Sequence, residues 1–225
     1  MKYYNLKVNV LLKCDIENFE TYEKLDDLII TAITENKEVK KDKEDTNKGY
    51  VFCNLYPVER EAIYKKNKTY TFDIRSIKYN KIMQIKQMIQ KAENTYFKVI
   101  KIELQVNKQR KIEKLITLTP TIITNKKGGY EINKDLDFIK EKILKNTKEK
   151  YKELYNINVD IDFIKQIKQI NRLPIKIPYK NKKMLGNKFE IEVKNDQISQ
   201  DLSYLILSMG MLEKNSNGFG FCRAK

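Results

Sequence analysis

The stretch Tyr4-Asn-Leu-Lys-Val-Asn-Val-Leu-Leu12, followed by Phe19-Glu-Thr-Tyr-Glu-Lys-Leu-Asp-Asp-Leu-Ile-Ile-Thr-Ala-Ile33, changes its apolar period partway along. In the first run Tyr4, Leu6, Val8, Val10 and Leu12 alternate with polar residues, which predicts a strand with one face on a core. In the second, Phe19, Tyr22, Leu25, Leu28/Ile29 and Ala32/Ile33 recur every three or four residues, the period of an amphipathic helix. Asp15 or Asn18 is placed to cap it.

Outward from this β-α pair the pattern continues. Residues 36–48 are charged and nearly devoid of apolar side chains, as an exposed loop would be. Tyr50 to Tyr56 is rich in aromatic and β-branched residues and is ended by Pro57, and Thr69 to Ile77 is a further strand. A helix from Asn80 points Ile82, Ile85, Ile89 and Ala92 inward, and Tyr96 to Val106 alternates again. The order is β-α-β-β-α-β.

The second half repeats it. Ile112 to Ile123 is strand-like; Leu136, Ile139, Ile143 and Tyr151 share a face of a helix starting near Asn133; Ile157, Val159, Ile161 and Phe163 alternate. Ile175/Ile177/Tyr179 and Phe189/Ile191/Val193 read as the arms of a hairpin joined by a basic turn containing Gly186. A helix from Asn195 turns Ile198, Leu202, Leu205 and Met209 inward and stops at Gly210 as a left-handed cap. Phe219 to Cys222 is a last short strand. The halves share pattern, not sequence. The expected fold is α+β: two tandem ferredoxin-like (RRM-like, βαββαβ) domains with antiparallel sheets, residues 1–108 and 109–225, linked through Asn107 to Lys111.

Forty-five Lys and Arg against thirty Asp and Glu give a formal net charge of +15 over 225 residues. A field of that sign favours a polyanion. The abundance of Lys, Asn and Ile also fits an AT-rich genome, but that bias would not deplete Asp and Glu. The longest apolar stretches, residues 28–33 and 202–211, fall well short of a membrane span, so no membrane partner is expected. The start, Met1-Lys2-Tyr3-Tyr4-Asn5, has no signal-peptide pattern. Cys14, Cys53 and Cys222 stand apart from one another, as small core residues in a reducing cytoplasm would. Histidine is absent altogether. No imidazole can act as acid, base or ligand, no metal or cofactor is called for, and any catalysis falls to Lys, Tyr, Ser/Thr, carboxylates or the substrate itself.

The ending carries the most chemistry: Gly210-Met-Leu-Glu-Lys-Asn-Ser-Asn-Gly-Phe-Gly-Phe221. Gly210, Gly218 and Gly220 let backbone approach a ligand and present N–H donors. Lys214 adds a point charge, while Asn215 and Ser216 add neutral donors for phosphate or sugar oxygens. The plainer reading is a loop capped by glycine at both ends. Arg172, Lys176, Lys180, Lys182 and Lys183 lie before, along or at the tip of the hairpin. There they are either a ribbon edge for an RNA stem or a solvated charge run.

This ending, with Gly210, Glu213-Lys214-Asn215-Ser216 and Gly218-Phe219-Gly220, resembles the C-terminal glycine-rich loop of the RAMP superfamily. Within that superfamily it resembles the CRISPR-repeat-processing endoribonucleases. Leu212 departs from the family, which usually has a second early glycine there. Leu28-Ile29-Ile30-Thr31-Ala32-Ile33 resembles the family's first helix, Lys48-Gly49-Tyr50-Val51-Phe52-Cys53-Asn54-Leu55 its following strand, and Lys182 to Val193 a hairpin of its second domain.

The resemblance implies attack of a ribose 2′-OH on the adjacent phosphate of CRISPR repeat RNA (pre-crRNA), without metal, leaving a 2′,3′-cyclic phosphate and a 5′-OH. Many relatives use a helix Tyr, a loop His and a Lys before the second strand. Only the Lys is matched, by Lys48. The Tyr position falls near Ile30, and the His position falls in a loop offering Lys37, Lys40, Lys41 and Lys43. Tyr22 and Tyr50 are near in sequence but off the pattern. Phe219 and the residues just named in the loop and hairpin are the implied RNA contacts. The resemblance leaves open further effector-complex subunits and a homodimer. Two alternatives stand beside the enzyme: a non-catalytic RAMP protein that binds repeat or guide RNA, and a generic basic ferredoxin-like protein for single-stranded nucleic acid.

Overall fold

The computed structural model describes residues 1–34, 49–125 and 135–225. Strand β1 (Lys2–Leu12) is central to the first sheet because its alternation offers one apolar face along its full length. Pairing with the later strands β5 (Thr69–Ser76) and β6 (Phe97–Lys108) is antiparallel, with Val8 opposite both Phe72 and Ile102. Two short ribbon strands, β2 (Ile16–Glu17) and β4 (Ile63–Tyr64), pair with each other, and β3 (Val51–Phe52) pairs with β5. The sheet order β3-β5-β1-β6 is that of a ferredoxin-like unit. Helices α1 (Thr21–Thr34) and α2 (Tyr79–Ile89) cover one face and enclose Leu6, Val8, Val10, Leu25, Ile29, Phe72, Ile82 and Ile85.

The second unit is built on the same plan. Its strands are β7 (Lys114–Thr117), β8 (Ile164–Gln169), β9 (Ile175–Tyr179), β10 (Lys182–Gly186), β11 (Phe189–Val193) and β12 (Cys222–Ala224). Helices α3 (Leu136–Tyr155) and α4 (Gln197–Met209) complete it, capped by Asp135 and Asp196. The sheet order β12-β7-β11-β8 again matches, with β9 and β10 as a separate ribbon.

Several expected boundaries shift for local reasons. The hairpin partner of β9 is β10, not residues 189–193: Lys180 and Asn181 both take positive φ (46° and 61°), so the chain reverses there. Residues 189–193 instead enter the main sheet between β7 and β8. The alternating run 157–163 is not a strand; Asp162 accepts the Ile164 N–H at 2.9 Å and pairing starts only at Ile164. Regular pairing after Tyr50 covers only Val51–Phe52, and the last strand begins at Cys222 rather than Phe219. Ile198 is exposed, whereas α4 from Leu202 onward is buried on all sides. Gly210 ends that helix with φ 88° and ψ 156°, outside the left-handed helical cap.

The two units are tied together by Arg75. Its Nη1 donates to the Cys222 carbonyl at 2.7 Å and its Nε to Asn5 Oδ1 at 3.1 Å, while the guanidinium sits 4.0 Å from the Phe221 ring centroid. Tyr3 of β1 packs on Tyr204 of α4 at 5.3 Å between centroids. No helix among the described residues is long and apolar enough to cross a membrane.

Candidate nucleic-acid interface

The glycine-rich ending closes on itself. Its glycines admit close approach, as the sequence suggests, but the approaching groups belong to the protein. A Cβ on Gly210 would lie 2.5 Å from Asn215 Nδ2, one on Gly218 2.7 Å from the Phe52 ring, and one on Gly220 2.1 Å from the Met211 carbonyl oxygen. Asn215 is buried and fully engaged: its amide donates to Met211 O and Phe219 O, and its Oδ1 accepts from Lys150 Nζ at 2.7 Å. The expectation of a free donor at Asn215 is therefore corrected. Phe219 is fully buried, stacked on Tyr22 with centroids 5.2 Å apart, so its ring is a core contact between the halves.

Lys150 is the residue that sequence reading missed. It lies on α3 among many lysines, yet it is buried, and its three N–H groups meet Gly210 O, Leu212 O and Asn215 Oδ1. Three oxygen acceptors match the three donors of an ammonium. Burial nevertheless pushes its pKa down to about 7. At position 212, where relatives usually have glycine, Leu212 keeps a left-handed φ of 60° and buries its side chain in the second unit's core. A left-handed φ is one that glycine adopts freely and that leucine holds only at the cost of local strain.

What the loop leaves accessible is Lys214, half-buried, beside buried Ser216 on the wall of a cavity of about 350 Å³. Glu149, Glu153 and Glu213 line the same cavity. Thr124 donates from both its backbone N–H and its hydroxyl to Glu213 Oε2.

The hairpin docks on the first unit. Ile177, Tyr179 and Met184 pack with Tyr22, Ile122 and Phe219. By register, Lys176 opposes Leu185 and Lys183 opposes Pro178, so Lys176 and Lys183 share the outer face. Lys182 opposes Tyr179 and shares the inner face at the tip, where it is exposed. Lys180 is committed to protein: its Nζ is 3.1 Å from Asp26 Oδ2 and its N–H donates to Glu23 Oε2. Arg172 is exposed on the loop before β9. That loop is stiffened by Asn171, which bonds Leu173 O, Asn187 Oδ1 and the Lys188 N–H.

Lys48 and the lysines at 37, 40, 41 and 43 lie outside the described residues. The residue after Lys48, Gly49, takes φ 73° and its carbonyl accepts from Ser76 Oγ at 2.7 Å. Tyr22 and Tyr50 are both buried, and burial raises both phenols above their usual range. Neither hydroxyl is presented at the surface. Among the described residues no group of His, Cys, Asp or Glu is arranged to hold a metal.

Two helix-backed antiparallel sheets of matching order, closed by a glycine-rich C-terminal loop, define a tandem ferredoxin-like architecture. A solved structure described as a RAMP protein binding different RNA substrates aligns over 99% of both chains, with TM-score 0.77 at 13% identity. One described as CRISPR associated protein Cas6 covers 99% of both chains with TM-score 0.73 at 19% identity. A Cas6-related protein from Pyrococcus furiosus covers 99% of this chain and 98% of its own, with TM-score 0.73 at 17% identity. These likenesses establish the fold. No curated protein sequence matches the chain. The model of the C-terminal part of CRISPR associated protein Cas6 matches residues 107–224, more than half of the sequence, and the chain belongs to the Cas6 family.

Proposed function

We propose that this protein is a metal-independent endoribonuclease that cuts CRISPR repeat RNA by 2′-OH attack, leaving a 2′,3′-cyclic phosphate and a 5′-OH and so producing guide RNAs. One observation carries the reading: in a Cas6-family chain, the glycine-rich loop of the second unit is seated on β3, the strand that begins just after Lys48 and Gly49. An added Cβ on Gly210 would meet Val51, and one on Gly218 would meet Phe52, the two residues of that strand. Residues 1–108 and 109–225 are taken as the two units, with the RNA surface formed where they meet.

The chemistry asks little of the protein beyond alignment. The nucleophile is tethered beside its phosphate, so proximity supplies much of the rate. The protein must hold the 2′-oxygen in line with the leaving 5′-oxygen, stabilise the charge growing on phosphorus and deliver one proton. Lys48 fits the last two tasks as a cation that carries donatable protons. Lys48→Ala is expected to slow single-turnover cleavage about 10²–10⁴-fold, measured at saturating RNA. Lys176, Lys183, Lys182, Lys214 and Arg172 supply phosphate contacts, with Ser216 beside them; the N–H groups expected from Gly210, Gly218 and Gly220 are instead spent on Ile206 O, Asn215 O and Pro120 O. Lys176→Ala and Lys183→Ala should each weaken binding and lower the slope of log Kd against log salt by about 0.7–0.9.

A second reading, binding without cutting, is favoured by two features: the chain has no histidine, and the family's tyrosine position falls near Ile30. A protein that binds repeat RNA tightly and leaves it intact would establish that reading instead. Complexes of Cas6 with product and with substrate mimic among the structural neighbours support an RNA partner under either one.

A further inference from the structure

At the meeting point of α1, the hairpin and the glycine-rich loop lies one carboxylate with no access to solvent. Asp26 is fully buried. Its Oδ2 accepts from the Tyr179 hydroxyl, from Lys180 Nζ at 3.1 Å and from Asn217 Nδ2 at 3.2 Å. Asn217 also donates to the Tyr179 oxygen at 2.8 Å, closing a ring of three partners. The donors come from two elements: Tyr179 and Lys180 from the hairpin tip, Asn217 from the loop. Both belong to the second unit, whereas Asp26 belongs to the first.

A buried carboxyl group whose Oδ1 has no hydrogen-bond partner among the described residues depends on the fixed partners of its Oδ2. Among the described residues Tyr22 of α1 also touches both elements, but by ring packing and not by hydrogen bonds to them. Glu23, one turn before Asp26, accepts the Lys180 N–H, and Asp27 lies 3.9 Å from Lys180 Nζ at the rim. The buried aromatic contacts of Tyr22 with Phe219 and of Tyr179 with Phe219 bring the surfaces together but allow sliding, whereas hydrogen bonds fix a register.

We propose that Asp26 is a positioning residue: it sets the hairpin and the glycine-rich loop in one fixed register on the first unit, so that the lysines each carries face one RNA path. The RNA part of this inference rests on the function proposed above. The outward lysines are Lys176 and Lys183 on the hairpin and Lys214 on the loop, and their alignment is a property of the docked arrangement. Asp26 touches no RNA itself.

The test uses the full chain in three forms: wild type, Asp26→Asn and Tyr179→Phe. The Asn variant keeps the shape and removes the charge; the Phe variant keeps the ring and removes one donor, and so guards against a failure of the first to fold. Amide hydrogen exchange of the free proteins reads the register directly. The expected result is exchange at least tenfold faster in residues 175–186 and 210–220 of Asp26→Asn, with β1 and α2 unchanged, and a smaller effect of the same kind for Tyr179→Phe. Binding of 2′-deoxy-blocked repeat RNA is then followed against salt. The expected slope of log Kd falls by about 1–2, because lysines leave the common path.

A side chain that merely stabilised the fold would lower the fraction of active protein and leave that slope alone. Faster exchange with an unchanged slope would overturn the proposal, as would unchanged exchange in both segments. A wild-type protein without affinity for repeat RNA would sink the function proposed above. The exchange experiment would still decide whether Asp26 fixes the register.

Discussion

Gly220→Ala should lower the unfolding free energy by about 3–5 kcal/mol, read from urea denaturation. The new Cβ would sit 2.1 Å from the Met211 carbonyl oxygen, a backbone atom that has no rotamer into which to retreat. It would also press on Asn215 Nδ2 at 2.9 Å. That backbone is pinned in turn: Gly220 N–H donates to Pro120 O and Met211 N–H donates to Gly220 O, both at 2.8 Å. A φ of +70° adds the strain of any L side chain in the left-handed region. Gly49→Ala is the control. Its φ of +73° is similar, but an added Cβ meets nothing within 4 Å, so the strain alone of about 1–2 kcal/mol is expected. A loss for Gly220→Ala no larger than that for Gly49→Ala would mean the loop is not packed as described.

Lys150→Met is expected to cost about 3–5 kcal/mol, because Gly210 O, Leu212 O and Asn215 Oδ1 would lose their buried donor together. The same residue gives stability a pH dependence of definite sign. Its pKa is held down to about 7 in the folded protein, against about 10.4 in an unfolded chain. Between those values the unfolded state binds a proton that the folded state lacks, so stability rises with pH across that window. Below 7 both states are protonated and the contribution stays at its minimum. The full rise is on the order of 5 kcal/mol, and it should vanish in Lys150→Met. Denaturation curves at pH 6, 8 and 9.5 on both proteins would separate this rise from the general relief of positive self-repulsion, which they share.

The architecture was legible because core periodicity survives in a single sequence. The alternation in residues 4–12 and the three-to-four spacing in 22–32 became β1 and α1, and Ile82, Ile85 and Ile89 became the inner face of α2. The hairpin partner is misread because residues 175–179 and 189–193 carry apolar alternation, whereas the true partner, residues 182–186, reads Lys-Lys-Met-Leu-Gly and carries none. What selects the nearer pair is two residues with positive φ, Lys180 and Asn181, which do not advertise a turn as Asn-Gly would. The run 157–163 alternates without partners in reach, and pattern alone cannot supply a neighbour.

Within the candidate site, glycine spacing identified the loop but not what comes close to it. Contact with its own backbone and contact with a phosphate ask the same thing of a glycine. Lys150 was invisible, since on a helix rich in lysine only tertiary packing tells the buried one from its neighbours. Asp26 did carry a signal. It stands four residues after Tyr22 and three before Ile29, on the apolar stripe of α1, where an acid without a partner would not be tolerated.

The central claim is that this chain cuts RNA with the substrate's own hydroxyl. The measurement that tests it most directly incubates the protein in EDTA with its cognate repeat RNA, beside the same RNA carrying a single 2′-deoxy at the cut site. Cleavage of the first into a 2′,3′-cyclic phosphate and a 5′-OH, with the second bound but intact, is the predicted result. Both RNAs bound and both left whole would contradict it, and would make the protein a Cas6-family RNA-binding subunit that does not cut.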